Sequence, residues 1–220
     1  MGQTRRRNAY ENKHSHKRFD EGWNVKNNRP EETYGNPLFF YTPMEVEKSA
    51  RSGGMRKAQE RIANNVVEML NLGKGSKILD MGCGPGYTSA VYQNMGFEVI
   101  GLDVTPQMVE KANERGIKAY VGDMRNVGEI FAGQQFDGIV SVSALQWLKE
   151  EGDIRQVAEG TYGLLGTNAP LIFQFYPRSE SELEKTASIF KRNGFVGDII
   201  TKNPDNPRTR TLYLDLKKIK

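Results

Sequence analysis

The sequence contains one cysteine, Cys83, and two histidines, His14 and His16, among its 220 residues. A single cysteine excludes an internal disulfide and a cysteine-rich zinc site, and it suits a reducing compartment such as the cytoplasm. Two histidines without further cysteine or histidine partners do not make a zinc ligand set. We therefore expect no metal site.

Long apolar runs are also missing. The longest stretch without charge, Gly160 to Pro177, approaches the length of a membrane span, but glycine, asparagine, proline and glutamine interrupt it. No apolar segment follows the arginines near the amino terminus, as a secretory signal would require. The composition, 37% hydrophobic and 26% charged, is typical of one globular domain. A cytoplasmic protein without a membrane partner is expected.

The net charge of +4 is distributed unevenly. Residues 1–30 carry a net charge of +5, residues 31–201 carry −5, and residues 202–220 carry +4. Basic ends on an acidic body indicate contact with a polyanion, although a solvated tail that only aids solubility would look the same. Because residues 1–36 are polar and lack an apolar period, we predict a flexible tail there and a folded domain over 37–220.

The first part of the domain is predicted to be helical. Thr42, Pro43 and Glu45 form a capping box with proline at the first helical position, and Gly53-Gly54 should interrupt that helix. A second helix is predicted over 55–70, with Gly73 as its C-cap glycine.

Short apolar runs then alternate with helical segments, which predicts βαβ units and a parallel sheet with helices on both faces. The last two strands are joined by a loop too short for a helical crossover, so they should form an antiparallel hairpin. The predicted fold is α/β with a seven-stranded, mostly parallel sheet. Its predicted strands are 77–81, 98–103, 118–121, 138–142, 171–176, 198–201 and 211–216.

A glycine-rich loop, Gly82-Cys83-Gly84-Pro85-Gly86, follows the first strand and its Asp80. Glycines there let a ligand approach the backbone, and the next helix offers free N–H groups. Asp103 ends the next strand, where an acidic side chain can accept hydrogen bonds from ribose hydroxyls. The pattern indicates a nucleoside cofactor. Tyr87 stands where the dinucleotide fingerprint requires glycine.

The pattern D-x-G-x-G-x-G resembles the first motif of class I S-adenosylmethionine-dependent methyltransferases, which have a Rossmann-like fold. By this resemblance Asp103 binds the ribose, Asp123 contacts the adenine amino group, and Met124 lies beside the ring. The terminal hairpin is also similar to the one that distinguishes this class from dehydrogenases. Met108 is either an adenine contact or a core residue.

The methyl acceptor is constrained by the residues that are missing. Pyrimidine C5 methylation needs a cysteine nucleophile, and the one cysteine lies in the cofactor loop. The segment 143–148, Ser-Ala-Leu-Gln-Trp-Leu, has no carboxylate or histidine to remove a proton. A purine ring nitrogen needs no base, only in-line placement. Trp147 and Tyr176 could stack on a base, or each could be a packed core aromatic.

Four segments carry a closer resemblance: Phe39-Phe40-Tyr41, the segment 143–148, Gln174-Phe175-Tyr176-Pro177, and Gly194-Phe195. Over residues 37–217 the chain resembles the family of small-subunit rRNA guanine-N7 methyltransferases. This resemblance implies that Tyr41 closes the pocket, and that Ser143 and Gln146 accompany the stacking aromatics. The cofactor-binding residues that the two resemblances imply are Arg51, Asp80, Gly82, Cys83, Gly84, Gly86, Asp103, Val104, Met108, Asp123, Met124 and Ser143.

The same resemblance implies partners and a setting. Eukaryotic members use a small zinc-binding activator that adds a strand to the sheet edge, which would here be the strand 118–121. They also carry a basic nuclear-targeting extension that does not follow Lys217 here, so an archaeal member is expected. Two alternatives stay open: a methyltransferase acting on a small molecule or a protein, and an RNA-binding assembly factor whose catalysis is secondary or lost.

Overall fold

The computed structural model describes residues 29–206 and 209–219. Four helices precede the sheet, and the last two, which the sequence predicts, differ from the prediction in two ways. The predicted break at Gly53-Gly54 lies at Ser52, whose side chain accepts a hydrogen bond from the Met55 N–H at 3.2 Å. The C-cap is Asn71, with φ +49°, and not Gly73. These helices are α1 (Pro30–Tyr34), α2 (Pro37–Phe40), α3 (Pro43–Arg51) and α4 (Gly53–Leu70).

The predicted flexible tail, residues 1–36, is partly replaced by regular structure. Residues 30–34 form helix α1, and the Asn36 side chain caps α2 by accepting a hydrogen bond from the Leu38 N–H at 2.9 Å. Proline at the first helical position and acidic residues in the first turn of α1 favour this start. The remaining part of the predicted tail lies outside the described residues.

Strands and helices alternate from Lys77 onward, as the sequence predicts. The strands are β1 (Lys77–Met81), β2 (Glu98–Asp103), β3 (Lys118–Val121), β4 (Gly138–Val142), β5 (Pro170–Gln174), β6 (Phe195–Lys202) and β7 (Thr211–Lys218). The intervening helices are α5 (Tyr87–Asn94), α6 (Pro106–Glu114), α7 (Val127–Ile130), α8 (Glu151–Leu164) and α9 (Glu180–Arg192).

In the described part of the chain the seven strands form one sheet, in the order β3-β2-β1-β4-β5-β7-β6. The first five in that order run parallel, and β7 is antiparallel to both β5 and β6. The predicted mixed sheet with an antiparallel hairpin is therefore confirmed. The strand order changes direction between β1 and β4, which opens a crevice at their carboxyl ends.

Two hydrophobic cores cover the two faces of the sheet. One contains Val66 of α4 and Tyr92 of α5, and the other contains Val157 of α8 and Phe190 of α9. The central strands β1, β4 and β5 bury side chains on both faces, as expected for a parallel sheet between helical layers, whereas the edge strands β3 and β6 bury one residue each. This packing fixes the strand ends that carry the site. None of the helices in residues 29–206 or 209–219 is long and apolar enough to cross a membrane.

Candidate cofactor and substrate site

A cavity of about 410 Å³ lies at the carboxyl ends of the central strands. Its floor is the glycine loop after β1 and the ends of β2 and β4, and α2 with the residues before it forms its roof. Nine predicted site residues line it: Gly82, Gly84, Asp103, Val104, Met108, Asp123, Met124, Ser143 and Trp147. The predicted closing residue Tyr41 lines it as well.

The glycine loop needs glycine for two different reasons. Gly82 has φ +74°, and a Cβ on it would lie 2.2 Å from the Cβ of Ala144. Gly84 also has positive φ, at +53°, but a Cβ there would meet nothing within 4 Å. Gly82 thus allows β1 and the segment after β4 to approach, whereas Gly84 leaves open space for a ligand.

Asp103 is held rigidly at the end of β2. Its Oδ2 accepts a hydrogen bond from the Gly84 N–H and its Oδ1 from the Thr105 N–H, both at 2.9 Å. Burial raises the pKa of Asp103, although these backbone donors oppose the rise. Each carboxylate oxygen retains a lone pair that can accept a ribose hydroxyl.

Asp80 lies beneath the loop and does not line the cavity. Its Oδ2 accepts hydrogen bonds from the hydroxyls of Thr88 at 2.7 Å and Ser89 at 2.6 Å. Its Oδ1 is buried without a partner in the described structure. Burial raises the pKa of Asp80 to about 6, although the two hydroxyls lower it. Asp80, which was predicted to bind the cofactor, therefore fixes α5 to β1 and is not among the residues that line the cavity.

Asp123 reaches the cavity already paired with a residue that the sequence analysis missed. The Arg125 backbone N–H donates to its Oδ1 at 2.9 Å, and the Arg125 guanidinium donates to its Oδ2. Partial burial raises the pKa of Asp123, but the hydrogen bonds and charge of Arg125 outweigh that effect and leave the pKa lowered. Arg125 also bonds Asp153 at 3.4 Å, so the adenine end of the predicted site is a charged cluster.

Three further residues that were predicted to bind the cofactor lie off the cavity. Cys83 is buried in a small core with Val109 and Ile117, and burial raises the pKa of its thiol. Gly86 is the N-cap of α5, where a Cβ would crowd the α6 residue Ala112. Arg51 points to solvent and pairs with Glu47 at 3.1 Å on its own helix. The residue spacing could not reveal these directions.

The segment after β4 forms the side of the cavity that is expected to face the methyl acceptor. Ser143 has φ +58°, and its hydroxyl donates to the Gln174 Oε1 at 2.9 Å. The Gln146 Nε2 donates to the Ser143 carbonyl at 2.8 Å, which closes the turn that projects Trp147. Gln146 and Tyr176 do not line the cavity, and the stacking role of Tyr176 stays a prediction.

Packing of aromatic rings and one hydrogen bond hold the roof of the cavity in place. The Trp147 ring lies 6.1 Å from the ring of Phe40 and 6.0 Å from that of Tyr41. Arg29 donates to the carbonyl of Tyr176 at 2.7 Å. The roof residues Gly35 and Asn36 were missed because the predicted domain began at Pro37, although the Asn36-Pro37 capping signal could have identified them.

The cavity fits S-adenosylmethionine, which is cationic at sulfur. Four carboxylates and only two basic side chains line it: Asp103, Asp123, Glu150 and Asp153, with Arg125 and Lys149. The open space at Gly84 and the unpartnered buried Oδ1 of Asp80 add room and negative charge near the loop. In the described residues no cluster of histidine, cysteine and carboxylate side chains could hold a metal, and His14 and His16 lie outside them.

Comparison with solved structures supports the fold. The chain is similar to magnesium protoporphyrin IX methyltransferase from Synechocystis, with a TM-score of 0.63 and 19% identity, covering 88% of this chain and 100% of that one. It is also similar to the N-methyltransferase NodS from Bradyrhizobium japonicum, with a TM-score of 0.62 and 14% identity, covering 80% and 98%. The fold is thus that of the Rossmann-like class I methyltransferases.

Comparison with known sequences is more specific. A family model described as a methyltransferase domain matches residues 78–167. The mouse 18S rRNA (guanine-N(7))-methyltransferase is 30% identical over 203 residues, covering 87% of this chain and 72% of that protein. The Saccharomyces cerevisiae 18S rRNA (guanine(1575)-N(7))-methyltransferase is 29% identical, covering 81% and 68%. The chain belongs to the family of 18S rRNA guanine-N7 methyltransferases.

Proposed function

We propose that the chain transfers the methyl group of S-adenosylmethionine to N7 of a guanine in small-subunit rRNA during ribosome biogenesis. The observation that carries the proposal is the cavity at the ends of β1, β2 and β4, because the Asp103 carboxylate and the Trp147 ring both line it. In this proposal Asp103 binds the ribose of the cofactor, and Trp147 stacks on the guanine base.

The bound cofactor supplies an electrophilic methyl group on a cationic sulfur. The chain's own task is to position the base, because N7 of guanine has a free lone pair and gives up no proton. Ser143, Ala144 and Trp147 line the acceptor side of the cavity, and none of them is a general base. Trp147 provides a ring face on which a purine can stack. Phe40 and Tyr41 pack near that ring and limit its movement.

An RNA substrate is supported by the family and by charge. The segments 1–30 and 202–220 are basic, so they can contact phosphates outside the acidic body of the domain. We further propose that residues 1–28 act as an RNA-binding tail and that the reaction takes place in the cytoplasm. The low cysteine content suits that compartment.

We also propose that a small zinc-binding activator adds a strand at β3. This strand is at one edge of the sheet, and its Tyr120 and Val121 are 42% and 53% exposed. Exposed apolar residues on an open edge strand favour β-augmentation. Ala119 of the same strand is buried and adds no exposed apolar surface.

The proposed function is tested by incubating the chain with S-adenosylmethionine labelled in its methyl group and immature small subunits, with and without a candidate activator. The label should be found on one guanine of the rRNA, at N7. Label only in protein or in small molecules would contradict the proposal. If a variant unable to bind cofactor still restores subunit maturation, the chain acts instead as an assembly factor.

A further inference from the structure

A second cavity, of about 350 Å³, lies behind the corner between α3 and α4. The corner, the first turns of α4 and one side of α5 line it. Ser49 and Met55 line the first cavity, whereas Arg51 and Gly53 line the second. A single turn of the chain therefore separates the two spaces.

The two cavities have opposite charge. Three arginines and one carboxylate line the second: Arg51, Arg56, Arg115 and Glu60. The first is lined by twice as many carboxylates as basic groups, which suits a cationic cofactor. The second therefore suits an anion, and the planar arginine side chain matches the geometry of phosphate oxygens.

Arg115 is already held in position by the protein. Its guanidinium lies over the ring of Tyr87, 4.6 Å from the ring centroid, and it donates to the carbonyl of Ala50 at 3.0 Å. An arginine has five N–H donors, so this contact leaves donors for a ligand. Stacking fixes the plane of the group and reduces the conformational entropy that a bound anion would otherwise cost.

The other two arginines can exchange their partners for a phosphate. Arg51 pairs with Glu47 at 3.1 Å and Arg56 pairs with Glu60 at 3.7 Å, and all four side chains are more than 40% exposed. Exposed ion pairs of this kind contribute about 0–1 kcal/mol each. A Cβ on Gly53 would meet nothing within 4 Å, so the backbone beside them is open as well.

We propose that this arginine cavity binds a backbone phosphate of the substrate RNA, close to the nucleotide that enters the first cavity. The inference rests on the proposed function, since it assumes that the substrate is RNA. A phosphate contact fixes the register of the RNA without reading its sequence. One turn of chain between the two cavities places that contact next to the first cavity.

The test measures binding of a fluorescent RNA hairpin by anisotropy at several salt concentrations. Arg56→Gln should weaken binding about threefold or more and lower the slope of log affinity against log salt concentration by up to roughly 1. The Arg51→Gln/Arg56→Gln double variant should weaken binding further without a larger fall in slope, because one phosphate is bound. The control is Lys57→Gln, which removes the same charge from an exposed neighbour that does not line the cavity. It should change the slope by less than half as much.

Unchanged slopes in both arginine variants would overturn the inference, as would a wild-type chain that binds no RNA. AMP binding with the same arginine dependence would assign the cavity to a free nucleotide and overturn it too. Cofactor affinity of Arg56→Gln, measured by calorimetry, should equal that of the wild type. Label transfer by the wild type to rRNA tests the proposed function separately, because a chain that methylates rRNA but shows unchanged slopes fails only this inference.

Discussion

The Tyr87 hydroxyl donates a hydrogen bond to the carbonyl of Ala50 at 2.6 Å. Tyr87 is the first residue of α5, directly after the glycine loop, and Ala50 belongs to the last turn of α3. The bond therefore ties the loop that should hold the cofactor to the corner that separates the two cavities. Tyr87, which stands where the dinucleotide fingerprint requires glycine, thus has a structural role in this chain.

Replacing Tyr87 by phenylalanine should remove this tie but keep the ring beneath Arg115. We expect a loss of about 1 kcal/mol of unfolding free energy in urea, the usual value of one hydrogen bond, and a severalfold weaker cofactor affinity. Tyr162→Phe is the control, since it loses a comparable bond to the Ile219 carbonyl at 3.2 Å. Tyr162 does not line the first cavity, so equal losses of cofactor affinity in the two variants would contradict the coupling.

Asp103→Asn should weaken cofactor binding about 10- to 100-fold in calorimetry. Hydrogen bonds to a charged acceptor contribute about 1.5–3 kcal/mol, and the amide can no longer accept at both positions. Glu98→Gln, at the exposed other end of β2, is the control and should bind normally. An unchanged affinity for Asp103→Asn would remove this residue from the site.

Gly82→Ala and Gly84→Ala should differ sharply in stability. Both residues have positive φ, so each variant incurs backbone strain of about 1 kcal/mol. Gly82→Ala adds the clash with Ala144, which should raise its loss to about 3 kcal/mol or more. Urea denaturation without cofactor measures both losses. Equal losses would mean that the loop moves freely away from β4.

Asp80 should make stability depend on pH. Its folded pKa of about 6 exceeds the unfolded value of about 3.9, so its stabilising contribution is complete below pH 4 and is lost as the pH rises through 6. Relative to Asp80→Asn, the wild type should lose about 2–3 kcal/mol of unfolding free energy between pH 4 and pH 7. Denaturation of both chains across this range gives the difference. A constant difference would show that the pKa is ordinary.

Trp147→Ala should lower the rate of methyl transfer to subunits at limiting RNA about 5- to 100-fold, because stacking on one base contributes about 1–3 kcal/mol. Trp147→Phe should recover part of the loss, because the smaller ring still offers a stacking face. Cofactor affinity, measured in parallel, should change much less than the transfer rate. Equal losses in both would place Trp147 on the cofactor side.

Local patterns allowed much of the fold and part of the site to be predicted. The glycine loop and Asp103 lie at strand ends, which the alternation of strands and helices places at one edge of the sheet. The local sequence pattern did not predict the directions in which side chains point. Arg51 lies on an exposed helix face outside the cofactor cavity, where it pairs with Glu47 four residues away.

Other failures came from distant contacts. Asp80 is part of the glycine motif, but the hydroxyls of Thr88 and Ser89 engage it under the loop. Glu32 is held by Lys149 and Arg178, at 3.7 Å and 3.8 Å, residues more than 110 positions away. A polar segment without an apolar period gives no sign of such partners, so α1 was assigned to the tail.

Because β7 lies between β5 and β6 in the sheet, β6 can join the sheet only after β7 has been synthesised. β6 leaves the ribosome before β7, yet its hydrogen-bonding neighbour in the sheet is β7. Until β7 emerges, the edge of β5 stays open and β6 has no partner in the sheet. A nascent chain paused in this interval exposes an unpaired strand, and such edges recruit chaperones or aggregate. Slow translation of residues 203–218 should therefore reduce the yield of folded protein more than an equal delay within α8.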